Sequence, residues 1–203
     1  VVVNPITDLV TTEAGGTATF SVSLATQPPA SVTMGISSND TTEGTVAPVS
    51  LTFTSANYSI PQLVTVTGVD DPAVDGNVAY VIVTAATTSA DANYNGLNPP
   101  DVSVTNNDND TAAIVVNPTT GLVTAEWVGT ATFTVRFATQ PAADVTIGLS
   151  SSDTTEGTVA PASLNFTAAD WNVPQTATVT GVDDALIDGT VAYAIVTAAA
   201  VSL

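Results

Sequence analysis

The 203-residue chain contains no cysteine, no histidine and no lysine, and its one basic side chain is Arg136. Without cysteine there are no disulfides, no zinc–thiolate sites and no thiol nucleophile. Without histidine the commonest general base is missing. Without lysine no Lys–Asn isopeptide cross-link forms. Nineteen acidic residues against one basic residue give a net charge of −18, which disfavours nucleic acid and anionic membrane as partners. No run is long and apolar enough to insert into a membrane. No signal-peptide pattern precedes the strand-like opening Val1-Val2-Val3, so the expectation is a piece of a longer protein. High negative charge also accompanies disorder. Here 44% of residues are hydrophobic and fall in strand-like runs, which favours a folded chain.

What the chain does have is repetition. Displaced by 113 residues it matches itself without a gap: Asn4-Pro5 meets Asn117-Pro118, and Thr17 to Phe20 meets Thr130 to Phe133. The nine residues Asp40 to Pro48 recur unchanged as Asp153 to Pro161. Repetition at domain length means tandem modules of the kind found in longer arrays. The boundary is expected at the polar stretch Asp108 to Thr111, giving domains at residues 1–110 and 111–203. The second copy has no counterpart of Asp91 to Asp110, and so lacks its last strand.

Period-two alternation bounded by turn residues predicts strands throughout. In the first copy the strands are a first one broken at Pro5, then Thr17 to Leu24, Val32 to Ile36, Leu51 to Phe53, Leu63 to Gly68, Val78 to Thr84 and Val102 to Val104. Ser38 to Ala47 reads as a polar loop, and no helical period appears. Seven short strands in about a hundred residues predict an all-β fold. The expected architecture is two tandem seven-stranded antiparallel immunoglobulin-like β-sandwiches, the second lacking its last strand.

In such a sandwich the loops after the first, third and fifth strands and the end of the seventh share one pole. Glu13, Asp40, Glu43, Asp70, Asp71, Asp75, Asp108 and Asp110 all fall there. With their second-copy counterparts, fourteen of the nineteen acids sit at two poles. The densest stretch, Thr67 to Asp75, returns as Thr180 to Asp188, each carrying two adjacent aspartates and a third acid four residues on. Carboxylates so crowded repel unless a cation lies among them. Oxygen ligands from several segments suit Ca²⁺, which takes six to eight oxygens, while the lack of histidine and cysteine disfavours softer metals. Turn chemistry alone explains single Asp, Asn and Gly residues in loops, and explains the Glu-Gly pairs at Glu43 and Glu156 equally well.

The glutamate before the Gly-Thr strand, the acid after the third strand, Leu51-Thr-Phe-Thr54, Val69-Asp70-Asp71 and the acidic end of the last strand together resemble the Calx-β domain. The resemblance runs nearly end to end through both copies. It implies a seven-stranded sandwich binding Ca²⁺ at its distal loops, through Glu13, Asp40, Asp70, Asp71, Asp75, Asp108 and Asp110. In the second copy it implies Glu126, Asp153, Asp183, Asp184 and Asp188. The chain departs from the family at Asn77 and Thr190, where a further glutamate is common, so fewer or weaker ions are expected. The second copy, lacking the acidic tail, is expected to hold calcium poorly. The regular Ala/Val/Thr-rich repeats look most like bacterial surface arrays.

The function expected is a calcium-binding structural repeat of a large extracellular or cell-surface protein. Ca²⁺ would rigidify the junctions between neighbouring repeats of an adhesin-like stalk. The alternative is a glycan- or protein-binding module using the opposite loops, at residues 27–29, 57–61 and 91–100, with Tyr58, Tyr94 and Trp171 as candidate contacts. Packing is the favoured reading for Tyr58 and Trp171, a surface position for Tyr94, and a place at the module junction for Trp127. With no base to activate a nucleophile and no evident cleft, no enzymatic activity is expected. The open edge of the strand at Val191 to Val196 is expected either to receive a strand from a neighbour or to leave residues 198–203 locally disordered.

Overall fold

The computed structural model describes residues 1–127, 129–187 and 189–202. Every regular element among them is a β-strand. The chain forms two compact units: one made of Val1–Asp71 and Asp75–Asn109, the other of Asp110–Leu203 together with Pro72–Val74.

The first unit contains β1 (Val2–Asn4), β2 (Leu9–Thr12), β3 (Thr17–Ser23), β4 (Val32–Ser38), β5 (Gly44–Ala47), β6 (Ser50–Phe53), β7 (Gln62–Gly68), β8 (Val78–Thr84), β9 (Thr88–Ser89) and β10 (Val102–Asn107). One sheet has the order β1-β3-β7-β5; the other has β2-β10-β8-β4-β6, with β9 also on β4. Alternation drives this pairing. Phe20 and Val22 of β3 and Val64 and Val66 of β7 point inward against Val32 and Met34 of β4, Leu51 and Phe53 of β6, and Val102 and Val104 of β10, all buried in one core. Threonines and serines take the intervening positions. Each large side chain so buried contributes about 1.5–3 kcal/mol of apolar transfer free energy.

Three features differ from the simple seven-strand reading. The broken first strand is divided between the sheets: β1 pairs antiparallel with β3, while β2 pairs parallel with β10. The turn at Pro5 to Asp8, with Asp8 at φ 63°, carries the chain across. The polar stretch expected to be a loop contains β5, which pairs antiparallel with β7. The long connection before β10 carries the short β9. Tyr94, expected at the surface, is 6% exposed, because its ring joins the core and its hydroxyl donates to the Thr26 carbonyl at 2.6 Å.

The second unit contains β11 (Ile114–Asn117), β12 (Thr130–Phe137), β13 (Val145–Ser151), β14 (Gly157–Ala160), β15 (Ser163–Phe166), β16 (Gln175–Gly181), β17 (Ile195–Thr197) and β18 (Val201–Ser202). Its first sheet, β11-β12-β16-β14, repeats that of the first unit strand for strand. Its second sheet is shorter, β15-β13-β17 with β18 on β13. Residues 122–125, which answer to β2, form no strand, and neither do residues 191–194, which answer to the first half of β8. In the first unit the corresponding segments, β2 and β8, both pair with β10. The chain beyond β17 folds back on β13, where Ala198 N–H donates to the Gly148 carbonyl at 2.9 Å and β18 pairs with Val145 and Thr146.

Candidate metal centre

Four segments of the first unit end side by side. Because β2 and β10 run parallel, Glu13 after β2 and Asn107 at the end of β10 emerge together, and Glu13 N–H donates to the Asn107 carbonyl at 3.1 Å. Because β5 starts opposite the end of β7, Glu43 meets the loop that begins at Val69, whose N–H donates to the Glu43 carbonyl at 3.0 Å. Glycines permit this closeness. A Cβ on Gly44 would fall inside the Tyr80 hydroxyl, and one on Gly68 would collide with the Thr12 carbonyl oxygen and the Asn106 amide.

Glu43, Asp71 and Asp75 offer carboxylate oxygens that all lie within 4.8 Å of one another. Glu43 is only 5% exposed. Its Oε2 accepts one hydrogen bond, from Asn106 Nδ2 at 3.3 Å. Asn106 is itself buried; its Nδ2 also donates to the Val69 carbonyl at 3.0 Å, and its Oδ1 accepts from Thr11 Oγ1 at 2.9 Å. Thr11 Oγ1 in turn lies 3.1 Å from the Tyr80 hydroxyl. Burial pushes the Glu43 carboxyl above its ordinary 4.5; Asn106 opposes this, and the charges of Asp75, Asp40 and Asp71 add to it.

Glu13 is 3% exposed and shares the same problem. Its Oε2 accepts from Asn109 N–H at 3.0 Å, and the Asn109 side-chain amide donates to Asp70 Oδ1 at 3.2 Å. Glu13 and Asp70 have oxygens within 4.8 Å of each other. Burial raises the Glu13 carboxyl; the Asn109 hydrogen bond pulls it down, and Asp108, Asp71 and Asp75 raise it further.

The remaining sequence candidates are placed differently. Asp40 closes its own turn, accepting from Thr42 N–H at 3.1 Å and Thr42 Oγ1 at 2.6 Å, and these bonds hold its carboxyl below the ordinary value. Asp108 accepts from Gly76 N–H at 2.8 Å, and its own N–H donates to Asn77 Oδ1 at 3.2 Å, tying the β7–β8 loop to the end of β10. Asp110 is the next residue after Asn109 and counts with the second unit.

In the second copy Asp153 repeats the Asp40 turn with Thr155, Glu126 and Asp183 are exposed, and Asp184 Oδ1 accepts from Leu186 N–H at 2.7 Å. Asp188 lies outside the described residues. Among the described residues no three acids of the second copy gather as Glu43, Asp71 and Asp75 do. The residues before Glu126 form no strand to carry that glutamate inward. Trp127, expected at the junction, is 87% exposed.

Sequence reasoning undervalued Glu43, whose Glu-Gly pair looks like a turn, and passed over Asn106, Asn109 and Tyr80. The alternation of β10 held the signal for Asn106: Val102, Val104 and Asn106 share the inward face, and a polar residue on an apolar face marks a buried network. At the other end of the unit, Tyr58 packs partly buried against the first core, and Trp171 does the same in the second. With Tyr94 also in the core, none of the three candidate aromatics is an exposed platform.

The donor set is all oxygen. Oxygens 2.3–2.6 Å from one ion are separated by no more than about 5 Å, so the spread of the Glu43–Asp71–Asp75 set suits a single Ca²⁺. Two buried glutamates beside three aspartates, with Arg136 of the other unit the one basic side chain, suit a cation on charge as well.

No family model and no curated protein matches the chain. Among solved structures it is similar to CBD12 from CALX1.2, at 13% identity and a TM-score of 0.43, covering 99% of this chain and 80% of that one. It is also similar to the calcium binding domain CBD12 of CALX1.1, at 14% identity and a TM-score of 0.41, covering 98% and 79%. The periplasmic chaperone SfaE gives 10% identity and a TM-score of 0.38 over 89% and 98%. Likenesses this weak reach proteins of different kinds, so the assignment of a function rests on the residues themselves.

Proposed function

We propose that the chain is a calcium-binding structural repeat, with the working site at the acidic end of the first unit. The observation that carries this reading is the burial of Glu13 and Glu43 among Asp70, Asp71 and Asp75. Burying an unpaired carboxylate is costly, and neither glutamate has a cationic side-chain partner within its unit. Glu43, Asp71 and Asp75 hold the ion, and Glu13 with Asp70 forms the flanking acidic pair. The bound cation supplies the positive charge that the polypeptide lacks. The chain's own residues do the rest: Asn106 orients Glu43, Asn109 joins Glu13 to Asp70, and Asp108 fastens Gly76.

The finer reading, supported by the resemblance of the acidic loops to Calx-β domains, is mechanical. Charge repulsion loosens the β7–β8 loop and the Asn107–Asn109 segment when calcium is low. Calcium draws them together and stiffens the chain where it leaves the first unit. The role is that of a non-catalytic spacer in an extracellular or cell-surface array, where calcium is abundant. A glycan-binding module is the weaker reading, because the aromatics it would use are packed into the cores.

The test is a thermal melt in chelator, in millimolar Ca²⁺ and in millimolar Mg²⁺. A ligand that binds only the folded state at a hundredfold excess over Kd stabilises it by about 2.7 kcal/mol. A calcium-selective rise in Tm that disappears in Asp71→Asn is expected. An equal rise with Mg²⁺, or none, would leave an acidic spacer without a calcium site.

A further inference from the structure

Four buried polar side chains run from the core of the first unit to its acidic end: Tyr80, Thr11, Asn106 and Glu43, each at most 5% exposed. The first three stand on β8, β2 and β10 of one sheet, and Glu43 immediately precedes β5 of the other. Their chemistry leaves one way to wire them. The Glu43 carboxylate and the Val69 carbonyl only accept, so Asn106 turns Nδ2 to both, at 3.3 and 3.0 Å. Its Oδ1 then faces Thr11, which donates to it at 2.9 Å. Thr11 has one hydroxyl proton; with that proton given to Asn106, its oxygen accepts from the Tyr80 hydroxyl at 3.1 Å. Every donor from Tyr80 through Thr11 and Asn106 therefore points toward the Glu43 carboxylate. Hydrogen bonds polarised in one direction strengthen one another.

Two glycines hold this relay in place. Gly44, next to Glu43, leaves room for the Tyr80 hydroxyl, and Gly68 leaves room for the Asn106 amide oxygen; an added Cβ would displace either group. The relay also carries the state of the carboxylate back into the core. Burial raises the Tyr80 hydroxyl above its ordinary 10, and the charge of Glu43 raises it further. At its outer end Glu43 faces Asp71 and Asp75.

We propose that Tyr80 and Thr11 are positioning residues of the cation site. Through Asn106 they hold Glu43 Oε2, so that Glu43 presents its other oxygen to the ion beside Asp71 and Asp75. The same relay makes the Tyr80 ring a reporter of whether the site is filled, because a cation on Glu43 withdraws charge from the far end of the chain of bonds. Neither residue touches the ion. Their effect is on the orientation and charge of a ligand, which is how partners of metal ligands tune affinity. The role presupposes the calcium site proposed above.

The test titrates Ca²⁺ into the 203-residue chain by calorimetry and, in parallel, by tyrosine difference absorbance. The unaltered chain should give a difference signal that saturates with the calorimetric isotherm. Tyr80→Phe keeps the ring and removes the hydroxyl; it should weaken calcium binding about tenfold and abolish the signal, whereas Tyr58→Phe should keep both. Thr11→Val should weaken binding as much as Tyr80→Phe, and the double variant no more than either, because one relay is cut. Thr11→Ser restores the hydroxyl and should restore affinity. Thr84→Val removes a different buried hydroxyl, bonded to the Pro100 carbonyl at 3.0 Å, and should lower Tm without changing calcium affinity. Unchanged calcium affinity in both Tyr80→Phe and Thr11→Val would overturn the positioning role and leave the site standing. So would an equal loss of affinity in Thr84→Val, which would mark a general effect of lost stability. An unaltered chain that binds no calcium would end both readings.

Discussion

Glu13 and Glu43 show how one side chain can make an acidic surface into a strained one. Both carboxyls are raised above the ordinary 4.5, first by burial and then by neighbouring aspartates. A carboxyl with a raised folded-state pKa binds protons more tightly in the native state than in the unfolded chain. Its contribution therefore favours folding at low pH and is lost as pH climbs from about 4.5 through the raised value. In chelator, Tm is expected to fall across that window, and the Glu13→Gln/Glu43→Gln double variant should flatten the fall. Asp40, Asp153 and Asp170 act in the opposite sense, since hydrogen bonds hold their carboxyls below 3.8; their stabilisation disappears only in stronger acid. Melts at stepped pH, with and without Ca²⁺, separate the two groups, because calcium should remove only the decline due to the glutamates. Gly44→Ala belongs at this scale too. Its Cβ would occupy the space of the Tyr80 ring, and overpacking of this kind costs about 1–3 kcal/mol, measurable by urea unfolding.

At the scale of the element, β10 serves both the core and the acidic cluster. Val102 and Val104 fill the core, Asn106 bridges Thr11 and Glu43, and Asn109 just beyond its end bridges Glu13 and Asp70. Asn106→Leu keeps the volume while leaving Glu43 without its donor. A loss of about 1–3 kcal/mol is expected in chelator, together with weaker calcium binding, measured by denaturant titration and calorimetry. Alternation made much of this element readable from sequence: the inward residues of β3, β4, β7 and β10 are those that period two selects. What stayed hidden was pairing that alternation does not encode. Leu9 and Val10 look like the second half of one strand, and nothing local says that they cross sheets to run parallel with β10. Gly44 to Ala47 follows a Thr-Thr-Glu turn and looks polar, so β5 read as loop, and Glu43 was undervalued with it. Tyr94 lies in a stretch of Asn, Gly and Pro that resembles a surface connection, yet its ring and hydroxyl are held from the distant Thr26.

At the scale of the whole molecule, two copies of one sequence pattern differ: the first unit carries β10 and an acidic cluster, and among the described residues the second carries neither. The acids of the second copy are there in the sequence, but among the described residues no three of them gather. Calorimetry of the 203-residue chain should show two transitions. Calcium should raise the one belonging to the first unit by several degrees and leave the other within a degree, since 1 kcal/mol moves the Tm of a domain this size by about 4–8 °C. A shift of both transitions would mean that the second copy binds calcium through acids that the described residues do not bring together.

The parallel pairing of β2 with β10 also sets an order of events. Residues separated by about ninety-five positions must meet before either the core or the acidic end of the first unit is complete. As the chain is synthesised from its amino end, β2 and β8 have no β10 to pair with until the last strand arrives. If the first unit binds calcium as proposed, its affinity appears only once the chain through Asn109 has emerged. A nascent-chain series released at lengths on either side of Asn109 should bind calcium only on the longer side.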